Sequence, residues 1–146
     1  GEMRVETKIT LSELIIFLLI KISKLNFIFI FFLKKKVIKE YEQNKEVQYN
    51  IQKLANQLQV LRDYLGVPVN INIAFRPVFY ELSKGRSGKS QHTLGKAADI
   101  TAAGLKPKYI AKVIEQLINE GEILQGGIGI YSTFVHYDIR KRKARW

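Results

Sequence analysis

The sequence predicts an α+β domain, with helices packed on a small antiparallel sheet. Three observations predict it. Val47, Ile51, Leu54, Leu58, Leu61 and Leu65 recur at steps of four and three, one apolar stripe on a helix of about five turns. The pattern then switches: Val69, Ile71, Ile73 and Phe75 alternate with Asn70, Asn72 and Ala74, as in a half-buried strand. From there the elements run helix, strand, loop, strand, helix, strand, strand, an order suited to helices against an antiparallel sheet.

Each element has a local reason. Thr10-Leu11-Ser12-Glu13 reads as a helix start, with Thr10 as cap and Glu13 three residues on. The long helix stops at Gly66, and Pro68 follows. Residues 77 to 91 hold Pro77, Gly85, Gly88 and several Ser and Lys, and read as a loop. Ala97 to Thr101 is a short apolar strand. Pro107 opens a second helix, with Ile110, Val113, Ile114, Leu117 and Ile118 on one face and Gly121 past its end. Gly126-Gly127 turns into Ile128-Gly129-Ile130-Tyr131, and Phe134 to Ile139 forms a last strand.

The chain divides into an N-terminal segment, 1–43, and a domain, 44–146. All but four of the residues from Leu14 to Leu33 are Leu, Ile or Phe, and the run has the length of a membrane helix. Its apolar residues favour insertion by roughly 7 kcal/mol, while Lys21 and Lys24 together cost roughly 6. Ser23 and Asn26 bring insertion close to break-even. The segment is therefore a candidate membrane anchor, with a buried or interfacial apolar stretch as the alternative.

The net charge of +11 favours polyanions: nucleic acid, anionic lipid or an anionic cell-wall polymer. Arg140, Lys141, Arg142, Lys143 and Arg145 crowd the last seven residues and read as a solvated basic tail. No zinc-finger or RNA-binding motif accompanies the charge, so nucleic acid is not the expected partner. The absence of Cys excludes disulfides and thiolate metal sites.

The chain has two histidines, and each lies in a short motif with an aspartate: His92-x6-Asp99 and His136-x-Asp138. Two His and one Asp suffice as protein ligands of a catalytic zinc, with a fourth position open. Gly95 supplies a turn between His92 and Asp99, and Ala97 and Ala98 allow close packing beside them. On a strand, His136 and Asp138 point to the same face. Asp138 is thus placed to accept a proton or to orient a ligand.

Ser90-x-His92-x-x-Gly95-x-Ala97-x-Asp99, followed by Gly127-x-Gly129-x-Tyr131 and Phe134-Val135-His136-Tyr137-Asp138, resembles the zinc D-Ala-D-Ala peptidases that act on peptidoglycan. These share a core fold with lysostaphin-type enzymes and the hedgehog signalling domain. The small bacterial and phage members are the most similar. The resemblance spans roughly residues 44 to 146. It implies zinc ligands His92, Asp99 and His136, and a substrate-holding or carbonyl-polarising Arg76. The family's usual Ser-Gly-Tyr-Arg-Ser is replaced here by Ala74-Phe75-Arg76-Pro77 and its preceding Ile73. Many relatives carry an acidic base three residues before the last His; Thr133 stands there, which leaves Asp138 as the candidate base.

The expected function is zinc-dependent hydrolysis of peptidoglycan stem-peptide bonds, as a D,D-carboxypeptidase or endopeptidase. The alternative is a catalytically inactive, zinc-containing cell-wall binding module of the same fold. Either function suits a place in the cell envelope or on a phage.

Overall fold

A computed structural model describes the backbone of residues 27–146 and the side chains from residue 35 onward. The helix start at Thr10 and most of the apolar run 14–33 lie outside the described residues. Among the described residues, no helix is long and apolar enough to cross a membrane.

The chain forms α1 (Phe27–Gln43), α2 (Lys45–Leu65), β1 (Val69–Ile73), α3 (Val78–Ser83), β2 (Ala97–Ala102), α4 (Pro107–Asn119), β3 (Gly127–Ile130), β4 (Val135–Asp138) and β5 (Ala144–Arg145). The strands make one sheet in the order β1-β2-β4-β3-β5. All neighbours are antiparallel except β3 and β5, which run parallel. The sheet is therefore mixed. The α+β class holds, and β5 is an addition that the sequence pattern does not show.

Capping explains where α2 begins and ends. The Asn44 side chain accepts from the Val47 N–H at 3.0 Å. At the other end Gly66 takes a left-handed φ of 70° and donates to the Arg62 carbonyl. The predicted stripe splits between two clusters. Leu54, Leu58 and Leu61 join the main core, while Val47 and Ile51 pack with Ala74 and Phe75. Tyr41 lies against the second cluster too, its ring 6.1 Å from that of Phe75.

The sheet has two unlike faces because strand side chains alternate. Ala98, Ile100, Ile128, Val135 and Tyr137 turn toward α2 and α4 and form the core with Ile110, Val113, Ile114 and Leu117. Tyr137 is almost fully buried, and its hydroxyl donates to the Leu124 carbonyl at 2.6 Å. The residues between them point the other way: Ala97, Asp99, His136, Asp138, Gly127 and Gly129. One face thus carries the core and the other the polar chemistry.

Two parts of the fold correct the sequence reading. The segment 77–91 is not all loop, because α3 occupies Val78–Ser83. It has no side-chain cap and is too short to show a helical period. Long-range packing holds it instead: Tyr80 and Phe79 meet Val37 of α1, and Glu40 accepts from the Val78 N–H at 3.2 Å. The basic tail is not all solvated either. Arg145 lies in β5 and donates to both Glu115 oxygens, at 2.6 and 3.0 Å, and to the Gly126 carbonyl.

Candidate metal centre

The register of the sheet assembles two of the predicted ligands. Asp99 of β2 stands directly opposite His136 of β4. Cross-strand partners share a face, so the carboxylate meets the imidazole: His136 Nδ1 lies 3.1 Å from Asp99 Oδ1. On the other side of β4, Gly127 and Gly129 face Asp138 and His136. A Cβ at Gly127 would collide with Asp138 Oδ2, so the missing side chain makes room for that carboxylate.

His92 arrives from the turn before β2. The Ser90 hydroxyl accepts from the His92 N–H at 3.0 Å, and Gly95 closes the turn with φ 72°. Any Cβ at Gly95 would stand 2.8 Å from the Val47 carbonyl oxygen, so the turn packs tightly on α2. The His92 carbonyl accepts from the Arg76 N–H at 3.1 Å, which ties the turn to the end of β1. His92 Nε2 then lies 3.3 Å from Asp99 Oδ1. One atom each from His92, Asp99 and His136 fall within 4.8 Å of one another.

Hydrogen bonding sets which ring nitrogen of each histidine faces Asp99. The Ala74 carbonyl can only accept, so His92 Nδ1–H donates to it at 2.8 Å and turns Nε2 toward Asp99. Asp138 is ionised, so His136 Nε2–H donates to its Oδ2 at 2.6 Å, and Nδ1 is the ring nitrogen turned to Asp99. The nitrogens facing Asp99 Oδ1 are opposite ones on the two rings, Nε2 of His92 and Nδ1 of His136. Both nitrogens lie within 3.3 Å of one carboxylate oxygen, a contact that needs positive charge, as ring protons or as a metal ion. A zinc ion with bonds of about 2.0 to 2.2 Å separates tetrahedral ligands by roughly 3.3 Å, in line with the spacings present. The donor set fits zinc.

The electrostatics carry the same demand for positive charge. Burial pushes the Asp99 carboxyl up, but hydrogen bonds with His136 and His92 outweigh it and hold the group well below the usual carboxylate range. Burial works against the His136 cation, yet its hydrogen bonds to Asp138 and Asp99 raise its pKa above the ordinary 6.5.

A protein-family model described as Peptidase M15 matches residues 32–138. The chain belongs to the peptidase M15 family. This family groups zinc D-Ala-D-Ala peptidases, so the resemblance read from the motifs holds, and the helices on a five-stranded sheet agree with the M15 fold. Comparison with curated proteins and with solved structures found no match.

The remaining site residues of this M15 chain surround a cleft of about 610 Å³ that opens over His92, Asp99 and His136. Arg76 lines it from just beyond β1. Arg86, Lys89, Arg140 and Arg142 add further positive charge, while Tyr131, Phe134 and Trp146 form an aromatic side. Asp138 does not line the cleft. It is wholly buried behind His136. Its Oδ1 accepts from the Gly127 N–H (3.0 Å), the Arg140 N–H (3.1 Å) and Arg140 Nε (2.8 Å). Its Oδ2 accepts from Arg140 Nη2 at 2.7 Å besides His136. Burial pushes the Asp138 carboxyl up, but these bonds pull it well below the carboxylate range.

Sequence reasoning missed Arg140 and Glu81. A signal existed for Arg140: it follows His136 and Asp138 at the strand period of two. None existed for Glu81, which belongs to the short helix α3. Glu81 is fully buried, with Arg86 Nη1 donating to Oε2 at 2.8 Å and Arg76 Nη1 3.5 Å from Oε1. It thereby holds Arg76 at the cleft wall. Burial pushes its carboxyl up, but the Arg86 hydrogen bond and the Arg76 charge hold it below the ordinary 4.5. A lowered folded pKa contributes stability that is full above the unfolded value and lost as pH falls through the folded one. Glu81→Gln is therefore expected to flatten the loss of stability as pH falls below the ordinary carboxylate value of 4.5, read from urea midpoints. An unchanged acid slope would assign that loss to other carboxylates.

Proposed function

We propose that this chain is a zinc-dependent peptidase that hydrolyses stem-peptide bonds of peptidoglycan, as a D,D-carboxypeptidase or an endopeptidase. One observation carries the reading: one ligand atom each from His92, Asp99 and His136 converge within 4.8 Å of one another, at the floor of a cationic cleft. Zinc held there by His92, Asp99 and His136 supplies water activation and carbonyl polarisation.

The chain's own residues do the rest. Arg76 presents a guanidinium to the cleft, suited to a substrate carboxylate or to the negative charge that develops on the scissile carbonyl oxygen. Glu81 keeps that guanidinium in place. Asp138 anchors His136 at Nε2. Its five accepted hydrogen bonds and its burial support this orienting role over that of proton acceptor, the other role its position on β4 suggests. The positive rim suits an anionic wall polymer around the substrate, and a location at the cell envelope or on a phage goes with that substrate.

The test is digestion of purified peptidoglycan, with mass spectrometry of the released muropeptides, in the presence and absence of a zinc chelator. Loss of a terminal D-Ala or of a cross-link, stopped by chelation and restored by zinc, is expected. A folded, zinc-loaded sample that releases nothing would overturn hydrolysis in favour of a wall-binding module.

A further inference from the structure

Beyond β4 the chain doubles back, and β5 runs alongside β3. This return brings Trp146 beside His136, with ring centroids 5.0 Å apart and planes inclined at 51°. Several bonds hold it there. The Trp146 N–H donates to the Ile128 carbonyl at 3.1 Å, and the Ile130 N–H donates to the Trp146 carbonyl at 2.9 Å. The indole Nε1–H donates to the Tyr131 hydroxyl at 2.8 Å. The Arg140 guanidinium sits 5.3 Å from the ring centre.

Gly129 explains how the ring fits. It is the cross-strand partner of His136, the position whose side chain would ordinarily cover the imidazole. A Cβ there would lie 2.5 Å from indole Cε2. The glycine leaves a gap on the site face, and a side chain from another strand fills it. Trp146 stays 48% exposed, so the ring is not core; it covers the imidazole and lines the cleft.

The arrangement complements Asp138. A hydrogen bond at Nε2 fixes one atom of the His136 ring but leaves the ring free to tilt about it. A contact from a clamped indole restrains that tilt. We propose that Trp146 is a positioning residue of the metal centre, holding the His136 ring so that Nδ1 faces the same point as His92 Nε2 and Asp99. The proposal rests on the metal reading of the site.

Trp146 is the single tryptophan of the chain, so tryptophan emission reports on the surroundings of this one ring. The experiment titrates the metal-free full chain with Zn2+ against a chromophoric chelator, following tryptophan fluorescence and thermal unfolding. Wild type, Trp146→Phe, Trp146→Ala and Gly129→Ala are compared. Zinc saturation of the wild type is expected to change Trp146 emission. Trp146→Ala is expected to bind zinc about tenfold more weakly, the lower end for partners that orient a metal ligand. Trp146→Phe, which keeps a ring in the gap, recovers most of that affinity. Gly129→Ala keeps the tryptophan but displaces it. It is expected to lose affinity like Trp146→Ala and to shift the emission to the red.

Zinc binding by Trp146→Ala as tight as that of the wild type would overturn the proposal and leave the metal reading intact. So would wild-type emission that zinc leaves unchanged, an arm that needs no variant to fold. A wild-type chain that binds no zinc would overturn both.

Discussion

His92→Ala is expected to leave a folded protein that neither retains zinc nor cleaves muropeptides. The loss follows from how the site is built. His92 supplies one of three protein ligands, and no other imidazole remains to replace it, since His136 is the only other histidine. Partners that merely orient a ligand cost up to about 100-fold in metal affinity when removed, so loss of the ligand itself costs more than about 100-fold. The fold is expected to survive. The turn that presents His92 is held by its main chain, through the Arg76 N–H to the His92 carbonyl and the Lys96 N–H to the Gln91 carbonyl at 3.0 Å. The Ala74 carbonyl loses a donor, and Asp99 loses one of its two imidazole partners. Asp99 keeps His136 as a partner at 3.1 Å, so the fold without zinc should be weakened but not lost. Zinc stoichiometry by atomic absorption, circular dichroism and muropeptide mass spectrometry on one sample test all three statements. A variant that kept one zinc per chain would place the metal elsewhere. One that lost zinc yet kept full cleavage would remove the metal from the reaction.

The parts of this molecule that were legible in the sequence are those in which chemistry is local or scarce. The α2 stripe reads directly because a helix repeats its buried face, and Gly66 marks its end because only a left-handed residue closes it there. The grouping of His92, Asp99 and His136 was legible for a different reason: each of the two histidines lies in a short motif with an aspartate, and the two motifs together resemble a known family. What spacing could not supply was the register that sets Asp99 against His136, because register depends on which strands become neighbours. The same limit hid β5. Two residues in a basic run carry no strand signal, and Arg145 is held by Glu115 on α4, thirty positions away. Ile73 shows a subtler limit. The alternation from Val69 groups it with the core, yet pairing with β2 shifts between Ile71 and Ile73. Ile73 ends opposite Asp99 and lines the cleft instead. Glu81 was the least legible residue, since its role depends on α3, which exists by packing on α1.

Asp138→Asn separates the two roles that Asp138 could play, and its expected signature is weakened zinc binding together with lost stability. All five groups around the carboxylate donate: the Gly127 N–H, three N–H groups of Arg140, and His136 Nε2–H. An amide has one oxygen and one NH2, so whichever way the new side chain turned, its NH2 would meet donors. The charge that pairs with Arg140 would also vanish. Removing one partner of a buried ion pair costs about 3 to 5 kcal/mol, and the low end applies here because Arg140 keeps some of its side chain in water. With the Nε2 anchor gone, His136 no longer has a fixed tautomer, and either nitrogen can carry the proton. Zinc affinity is then expected to fall about 10- to 100-fold, and cleavage at limiting zinc to fall with it. Excess zinc should restore much of the rate. A general base behaves differently: its loss lowers kcat at saturating zinc and removes the acid limb of the pH–rate profile. Chelator competition, urea unfolding and a pH–rate profile at saturating zinc distinguish the two. Unchanged zinc affinity with a kcat deficit that excess zinc does not repair would make Asp138 the proton acceptor. Its saturated hydrogen-bonding would then have to open during turnover, with Arg140 as the group that moves.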